Sequence, residues 1–332
     1  MAGQWWNRRT RNSVQPVMKF HVVVNKRAGT VLDWESGSLQ QEILAAFRAH
    51  GHEVTLHLIS PDDLVPTIDR ALAQGCQALI IGGGDGTVRT GAIKLMGTDV
   101  PLGILPLGTL NRLARDLKIP LEVHAAAAAL ANARVEAIDV GEVNGRIFLN
   151  NSLLGLTVIY SQYRQAVRGR PFIERMRGYS TAVIEILKSR RRMDVDIDHG
   201  QSRMRVRVLS MAVSNNRYLE NASLMLQKET LSDGVLAAYI SQHPSGWALA
   251  RAIVRAMLGR FRSDPNIVHI EAHEIDVSAR RSRLRVSNDG ELDIVEMPLR
   301  YKIRPRALKV LVPVTESPAD AQRSNDAVLA RS

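Results

Sequence analysis

The sequence predicts an α/β domain with a mostly parallel sheet over residues 16–140, followed by a mainly antiparallel β-sandwich domain over residues 141–313. Up to residue 135, short apolar runs alternate with segments of helical periodicity. That rhythm calls for a parallel sheet with helices on both faces. Beyond it the apolar runs become short, strand-like and separated by turn residues. Glycine-containing loops follow several of the early runs, at the strand ends where open α/β sheets bind their ligands.

Residues 20–24 read as the first strand, ending at Asn25. Leu39, Ile43, Ala46 and Phe47 recur at helical spacing within residues 35–50, and Gly51 is placed as the stop. Val54, Leu56 and Leu58 alternate as a strand does. Ser60 and Pro61 read as N-cap and first residue of a helix running to Gly75. Residues 78–81 and 102–105 are the third and fourth strands, with helices over 88–96, 112–117 and the alanine-rich 123–133. In the second domain, strands are expected at 135–143, 146–150, 193–197, 204–213, 235–240, 268–277 and 284–286. Residues 163–192 form a basic, helical insertion interrupted by Gly169 and Pro171. Residues 1–15 read as a flexible basic tail and residues 314–332 as a disordered one.

The 332 residues suffice for two cores, and no apolar run reaches the roughly 18 residues of a membrane span. Cys76 is the single cysteine, which excludes an intrachain disulfide and a cysteine-built metal site and suits a reducing cytoplasm. A net charge of +11 implies an anionic partner. Aromatic content of 5% gives base stacking little support, so nucleic acid is not the expected partner.

Gly82-Gly83-Gly84-Asp85-Gly86-Thr87 directly follows the third strand. Glycines there let backbone N–H groups close on a phosphate, at the head of a helix whose N-terminus favours an anion. Asp85 is the odd element, since a carboxylate in a phosphate cradle is repelled unless a cation or a donor network intervenes. A P-loop would need Lys followed by Ser or Thr, and G-x-G-x-x-G fails at Thr87 or at Arg89. Leu105-Pro106-Leu107-Gly108-Thr109-Leu110-Asn111 follows the fourth strand, where Thr109 offers a hydroxyl and Asn111 an amide to a phosphate or ribose. Asn25-Lys26-Arg27-Ala28-Gly29 follows the first and falls on the same edge. Further on, Ser214-Asn215-Asn216 closes a strand. Asp233, in Leu231-Ser232-Asp233-Gly234-Val235, caps a turn or binds a hard cation. Ser287-Asn288-Asp289-Gly290-Glu291 sets two carboxylates around a glycine. Each Asp-Gly pair also reads as a plain hairpin turn.

These motifs, in this order over residues 17–313, resemble the diacylglycerol kinase catalytic-domain family in its bacterial lipid-kinase branch, related to sphingosine and ceramide kinases. The GGGDGT run matches the family's nucleotide loop and residues 105–111 its P-x-G-T-x-N element, while 213–217, 231–235, 288–291 and 307–313 follow in the expected order. The resemblance implies ATP in a cleft between an α/β nucleotide domain and a β-sandwich, and transfer of its γ-phosphate with Mg2+ to a diacylglycerol-like or sphingoid-like lipid hydroxyl. By family pattern, Gly83, Gly84, Asp85, Gly86, Thr87, Val88, Arg89 and Thr109 hold the nucleotide, with Asn25, Lys26, Arg27, Ala28, Gly29 and Ser60 contributing. Glu291 accepts the proton of the lipid hydroxyl, while Asp233 with the carbonyls of Thr230 and Val235 holds a structural magnesium. Physical roles consistent with this give Asp85 to the catalytic magnesium and Asp289 to shared acid–base or metal work. Arg89 and Thr90 stand where many members carry Asn or Glu, Arg112 where an acidic residue is common, and Lys26 where Pro is usual. The alternatives are an NAD kinase-like enzyme, for which no convincing Asn-Glu dinucleotide element is present, and a catalytically silent nucleotide-binding regulator on membranes.

A lipid kinase without a membrane span is expected in the cytoplasm, in peripheral contact with an anionic membrane face. Residues 246–262 place Ala250, Ile253, Val254, Met257, Leu258 and Phe261 on one helical face beside Arg251, Arg255 and Arg262. The insertion at 163–192 competes equally for that role, and a core-facing helix with a solvated basic edge is the slightly favoured reading of 246–262.

Overall fold

The computed structural model describes residues 17–28, 37–167, 170–189, 191–219, 227–257 and 264–314. The expected tail over 1–15 and that over 314–332, except Val314, lie outside the described residues, as do Gly29, Gly169, Leu258, Phe261, Arg262 and the side chains of Ile253 and Met257. The chain forms two compact units: residues up to 91, 98–136 and from 309 onward make unit 1, and residues 92–97 and 137–308 make unit 2.

Unit 1 runs β1 (Lys19–Asn25), α1 (Ser38–Ala49), β2 (Glu53–Ile59), α2 (Leu64–Ala73), β3 (Ala78–Gly83), α3 (Asp85–Leu95, its last residues grouped with unit 2), β4 (Leu102–Pro106), α4 (Arg112–Asp116) and α5 (Val123–Ala131). The strands are parallel in the order β2-β1-β3-β4, with Val22 beside Leu56, Val23 beside Ile81 and Ile80 beside Gly103. Val22, Val23, Val24, Leu79, Ile80 and Ile81 are fully buried, which is why β1 and β3 read as unbroken apolar runs rather than alternating ones. Gly51 and Gly75 stop α1 and α2 in the left-handed conformation. Ser60 does not cap as expected: its side chain makes no capping bond, and Pro61–Asp63 is a 3-10 turn ahead of α2. The helix after the glycine run starts at Asp85 rather than at residue 88, so Asp85, Gly86 and Thr87 form its first turn.

Unit 2 contains β5 (Ala133–Val143), which enters from unit 1, then β6 (Arg146–Phe148), β7 (Asn151–Gly155), α6 (Thr157–Ala166), α7 (Phe172–Lys188), β8 (Met193–Asp198), β9 (Arg203–Val208), β10 (Ser210–Asn215), β11 (Leu236–Ser241), α8 (Gly246–Met257), β12 (Ile267–Ala272), β13 (Glu274–Ala279), β14 (Arg283–Asn288), β15 (Glu291–Glu296) and β16 (Leu299–Pro313). One sheet is antiparallel in the order β12-β11-β10-β7-β14-β15. The other joins β9, β8, β13 and the first part of β16, also antiparallel. Their inner faces share one core, in which Ile197, Ile275 and Tyr301 meet Leu154, Met211, Val213 and Val286. This is a β-sandwich. The end of β16 returns to unit 1, with Val310 beside Leu102.

Two expected strands each prove to be two. The run at 204–213 divides at Leu209 into β9 and β10, and the run at 268–277 divides at His273 into β12 and β13, each pair serving opposite sheets. In α8, Ala248, Leu249 and Ala252 are buried while Val254 is exposed, so the buried stripe differs from the apolar face expected there. Among the described residues no helix is long and apolar enough to cross a membrane.

On β1 and β2, His21 Nδ1 and His57 Nε2 lie 3.2 Å apart. Burial lowers the pKa of both rings; the neighbouring His57 ring adds to this at His21, and the Arg70 charge adds to it at His57. Depressed pKa values mean that the unfolded chain binds protons first, so their contribution is complete above the ordinary histidine value and is lost as pH falls below it. Thermal melts from pH 7 to pH 5 should therefore show a smaller loss of Tm in His57→Gln than in wild type. Equal losses would contradict the assignment.

Candidate functional site

Parallel strands that leave in opposite directions create a crevice at their carboxyl ends. In unit 1 that point lies between β1 and β3: β1 connects outward to β2, and β3 to β4 on the other side. The loops after both strands meet there. Asn25 Nδ2 donates to Thr87 Oγ1 at 3.3 Å, and Asn25 Oδ1 accepts from the Arg27 N–H at 2.9 Å. The Lys26 N–H reaches the Ile59 carbonyl at 2.9 Å, which brings half-buried Ser60, at the end of β2, to the same edge. Lys26 and Arg27 are exposed and Ala28 is half-buried.

The loops after β3 and β4 are closed against each other. The Leu107 N–H donates to the Gly83 carbonyl at 3.2 Å. A Cβ on Gly108 would sit 2.5 Å from Gly84 Cα, a backbone atom with no room to yield, so only glycine allows this approach. Asn111 adopts a left-handed conformation with φ of 48°. Its Oδ1 accepts from the Gly108 N–H at 2.8 Å, and its Nδ2 donates to the carbonyls of Gly108 at 2.8 Å and Pro106 at 3.2 Å. The amide expected to reach a ligand thus staples its own turn, leaving exposed Thr109 as the available group of that loop.

Asp85 Oδ1 accepts the Arg112 N–H at 2.8 Å. The carboxylate therefore satisfies a first-turn donor of α4 while heading α3, and a donor network accounts for its place among phosphate-type glycines. No hydrogen bond among the described residues engages its second oxygen, which leaves a hard donor of the kind Mg2+ takes. Gly84, Gly86 and Thr87 are half-buried around the α3 N-terminus. Val88 has its side chain in the core, and its N–H bonds the Gly84 carbonyl at 3.0 Å, so it closes the first turn. Arg89 is half-buried on the second turn. Cys76 is buried, and burial pushes its thiol up to about 11, which removes it as a nucleophile.

In unit 2 the Asp-Gly-Glu stretch is a two-residue hairpin. Asn288 pairs with Glu291, and both Asp289 (φ 52°) and Gly290 (φ 86°) are left-handed, as a type I′ turn requires. Asp289 is buried, and its carboxylate accepts three backbone N–H groups: Leu149 and Asn150 at 2.7 Å and Asn151 at 3.2 Å. Its own N–H returns to the Asn151 carbonyl at 2.9 Å. Both oxygens of this carboxylate are thus engaged by a nest of backbone donors, which ties the turn to the segment 149–151. Half-buried Glu291 sits at the rim of the turn and takes a hydrogen bond from Gln165 Nε2 on its Oε2 at 3.1 Å. The same end of β7, β10 and β14 carries Asn151, Asn215 and Asn288, each with a buried amide oxygen that has no partner among the described residues.

Asp139, which sequence reading passed over, is 1% exposed and organises the loop around Asp233. Its Oδ1 accepts the Arg306 N–H at 2.8 Å and its Oδ2 the Gly234 N–H at 2.6 Å, while its N–H donates to the Leu231 carbonyl at 2.8 Å. A lone Asp between Ile138 and Val140 in an apolar strand was the available signal, since a buried carboxylate needs donors. Asp233 itself has Arg217 Nη2 at 4.0 Å, and the Val235 carbonyl accepts the Asn216 N–H at 3.0 Å. Among the described residues no three His, Cys, Asp or Glu side chains gather as a metal site. The Asp233 carboxylate and the Thr230 and Val235 carbonyls are hard oxygen donors of the type Mg2+ takes.

Asp289→Ala should leave three backbone donors without their acceptor and lower stability by at least about 3 kcal/mol in urea unfolding. A loss under about 1 kcal/mol would mean that water replaces the carboxylate.

Comparison with known proteins agrees in both units. The Diacylglycerol kinase catalytic domain family matches residues 19–143, and the YegS C-terminal NAD kinase beta sandwich-like domain matches residues 159–312. A "Probable lipid kinase YegS-like" of Pseudomonas fluorescens is 31% identical over 291 residues, covering 83% of this chain and 92% of the relative. The diacylglycerol kinase of Bacillus subtilis is 25% identical over 258 residues, covering 75% and 83%. A crystal structure of a diacylglycerol kinase from Bacillus anthracis shares the fold with a TM-score of 0.64 at 18% identity, over 92% of this chain and 98% of that one. With its two matched domains in sequence and a relative of that similarity over nearly its whole length, the chain belongs to the YegS-like lipid kinases of the diacylglycerol kinase family.

Proposed function

We propose that this chain transfers the γ-phosphate of ATP to the hydroxyl of a diacylglycerol-like or sphingoid-like lipid. The observation that supports this most is the meeting of three strand-end loops at the β1/β3 switch point, with the Gly83–Gly84 and Gly108 backbones closed against each other. Such an edge suits a polyphosphate better than a flat substrate. The N–H groups of the first turn of α3 and the hydroxyls of Thr87 and Thr109 bind phosphate oxygens. Lys26, Arg27 and Arg89 bring positive charge to the same loops. Bound magnesium–ATP supplies the phosphoryl group with its charge partly neutralised, so positioning is the protein's main task. Asp85 holds the catalytic cation, while Asp233 with the carbonyls of Thr230 and Val235 holds a structural one.

Glu291 takes the proton of the lipid hydroxyl, a poor nucleophile until a base accepts it. Gln165 fixes one oxygen of that carboxylate. Asp289 acts as a positioning residue, since it anchors the turn that aims Glu291. A lipid acceptor places this work at the cytoplasmic face of a membrane, in peripheral contact.

The test is incubation with Mg2+ and γ-labelled ATP against diacylglycerol, sphingoid bases, ceramide, polyprenols, phosphatidylglycerol and NAD. Label is expected in a lipid. Glu291→Gln should lower kcat by about 100-fold or more while nucleotide binding is retained. Label in NAD alone would overturn the lipid reading, and a fully active Glu291→Gln would remove its role as base.

A further inference from the structure

We propose that the outward face of α7 and α8 is the surface by which unit 2 lies on an anionic lipid bilayer. An amphipathic helix on a globular protein normally carries one apolar stripe. The 17-residue α7 carries two. Its inner stripe is Ala182, the one buried side chain, with half-buried Gly178, Tyr179 and Ile186 beside it. At about 100° per residue, Phe172, Val183, Met176, Ile173 and Ile184 fill a separate arc of roughly 120°. That arc faces solvent: Phe172 is 71% exposed and Ile173 68%. Met176, Val183 and Ile184 are exposed as well.

The neighbouring helix repeats the arrangement. In α8, Trp247 and Val254 stand seven residues apart on one face and are 60% and 57% exposed, with exposed Arg251 and Arg255 alongside. The two helices are joined at a corner, where the Gly246 N–H donates to the Ser189 carbonyl at 2.9 Å. A Cβ on Gly246 would overlap the Ile186 carbonyl, so the close corner requires glycine.

Charge identifies the occupant. Between residues 170 and 192 the chain carries seven Lys or Arg against two Glu. Arg177 and Lys188, which follow the arc around α7, and Arg191 and Arg192 beyond its end are exposed. An apolar arc with a tryptophan and a basic border is the pattern that inserts into the headgroup layer and draws on anionic lipid. A two-fold contact between copies would instead set these basic borders against one another.

The inference rests on the lipid-kinase reading for its purpose, whereas its readout needs neither ATP nor catalysis. The full chain is sedimented, without nucleotide, with vesicles of phosphatidylcholine alone or with phosphatidylglycerol added. Binding is expected only to the anionic vesicles, weakening with salt. The pair Ile173→Glu with Ile184→Glu should weaken it about tenfold or more, and the pair Arg177→Ala with Lys188→Ala should do so independently. Both pairs replace outward-facing groups, and unchanged melting temperatures confirm that the fold is kept. Phosphorylation of a short-chain soluble lipid should stay at the wild-type level. The inference is overturned if wild type ignores anionic vesicles, if both folded variant pairs bind as wild type does, or if sedimentation velocity shows a dimer that Ile173→Glu with Ile184→Glu dissociates. Variant-sensitive vesicle binding with no kinase activity would sink the kinase reading and leave the docking surface standing.

Discussion

Adjacent parallel strands end about 4.8 Å apart, so the loops leaving β3 and β4 must either splay or pack backbone to backbone. Here they pack, and the Asp85 carboxylate fixes the result by accepting the Arg112 N–H at 2.8 Å across 27 residues of chain. That bond joins the N-terminus of α3 to the N-terminus of α4. It permits the contact of Gly84 with Gly108, and it explains how a carboxylate is tolerated among glycines of a phosphate-loop type. One of its oxygens is engaged by a backbone donor, and the α3 dipole stabilises its charge. The Asn111 staple and the exposure of Thr109 follow from the same closure.

Unit 2 is built on a related principle. Asp289 and Asp139 are buried carboxylates whose donors are backbone N–H groups drawn from distant segments. A buried charge costs several kcal/mol unless it is paired or hydrogen-bonded, so each of these groups defines the turns around it more strictly than apolar contact does. Asp289 sets the hairpin from which Glu291 projects, and Asp139 sets the loop bearing Asp233. Glu291 and Asp233, the carboxylates to which chemistry is proposed, lie at the rims of these arrangements, and Asp289 and Asp139 at the centres hold them in place.

The α/β half was legible because its signals are local. Val22 to Val24 and Leu79 to Ile81 form buried strands that are apolar throughout, and Gly51 and Gly75 mark helix ends by a conformation other residues avoid. The sandwich was less legible where one apolar run turns a corner between sheets, as at Leu209 and His273, because periodicity does not register a change of partner. β7 was missed because it opens with Asn151 and Ser152, polar residues buried by long-range contacts. β16 was missed although Tyr301 and Ile303 alternate with charged neighbours, an overlooked local pattern. The motif positions could be read from the sequence, but not the division of labour within them. The sequence does not show that the Val88 side chain is in the core, nor that the Asp289 carboxylate gathers three backbone donors while Glu291 meets Gln165. The second apolar stripe of α7 was likewise hidden, since periodicity alone does not say which of two faces meets the protein.

Amide hydrogen exchange on the full chain, with and without a non-hydrolysable ATP analogue and Mg2+, tests the closed-loop account most directly. The account predicts new protection concentrated at residues 83–88 and 107–112, the segments joined through Asp85 and Arg112. Protection confined to other parts of the chain, or none at saturating nucleotide, would contradict it.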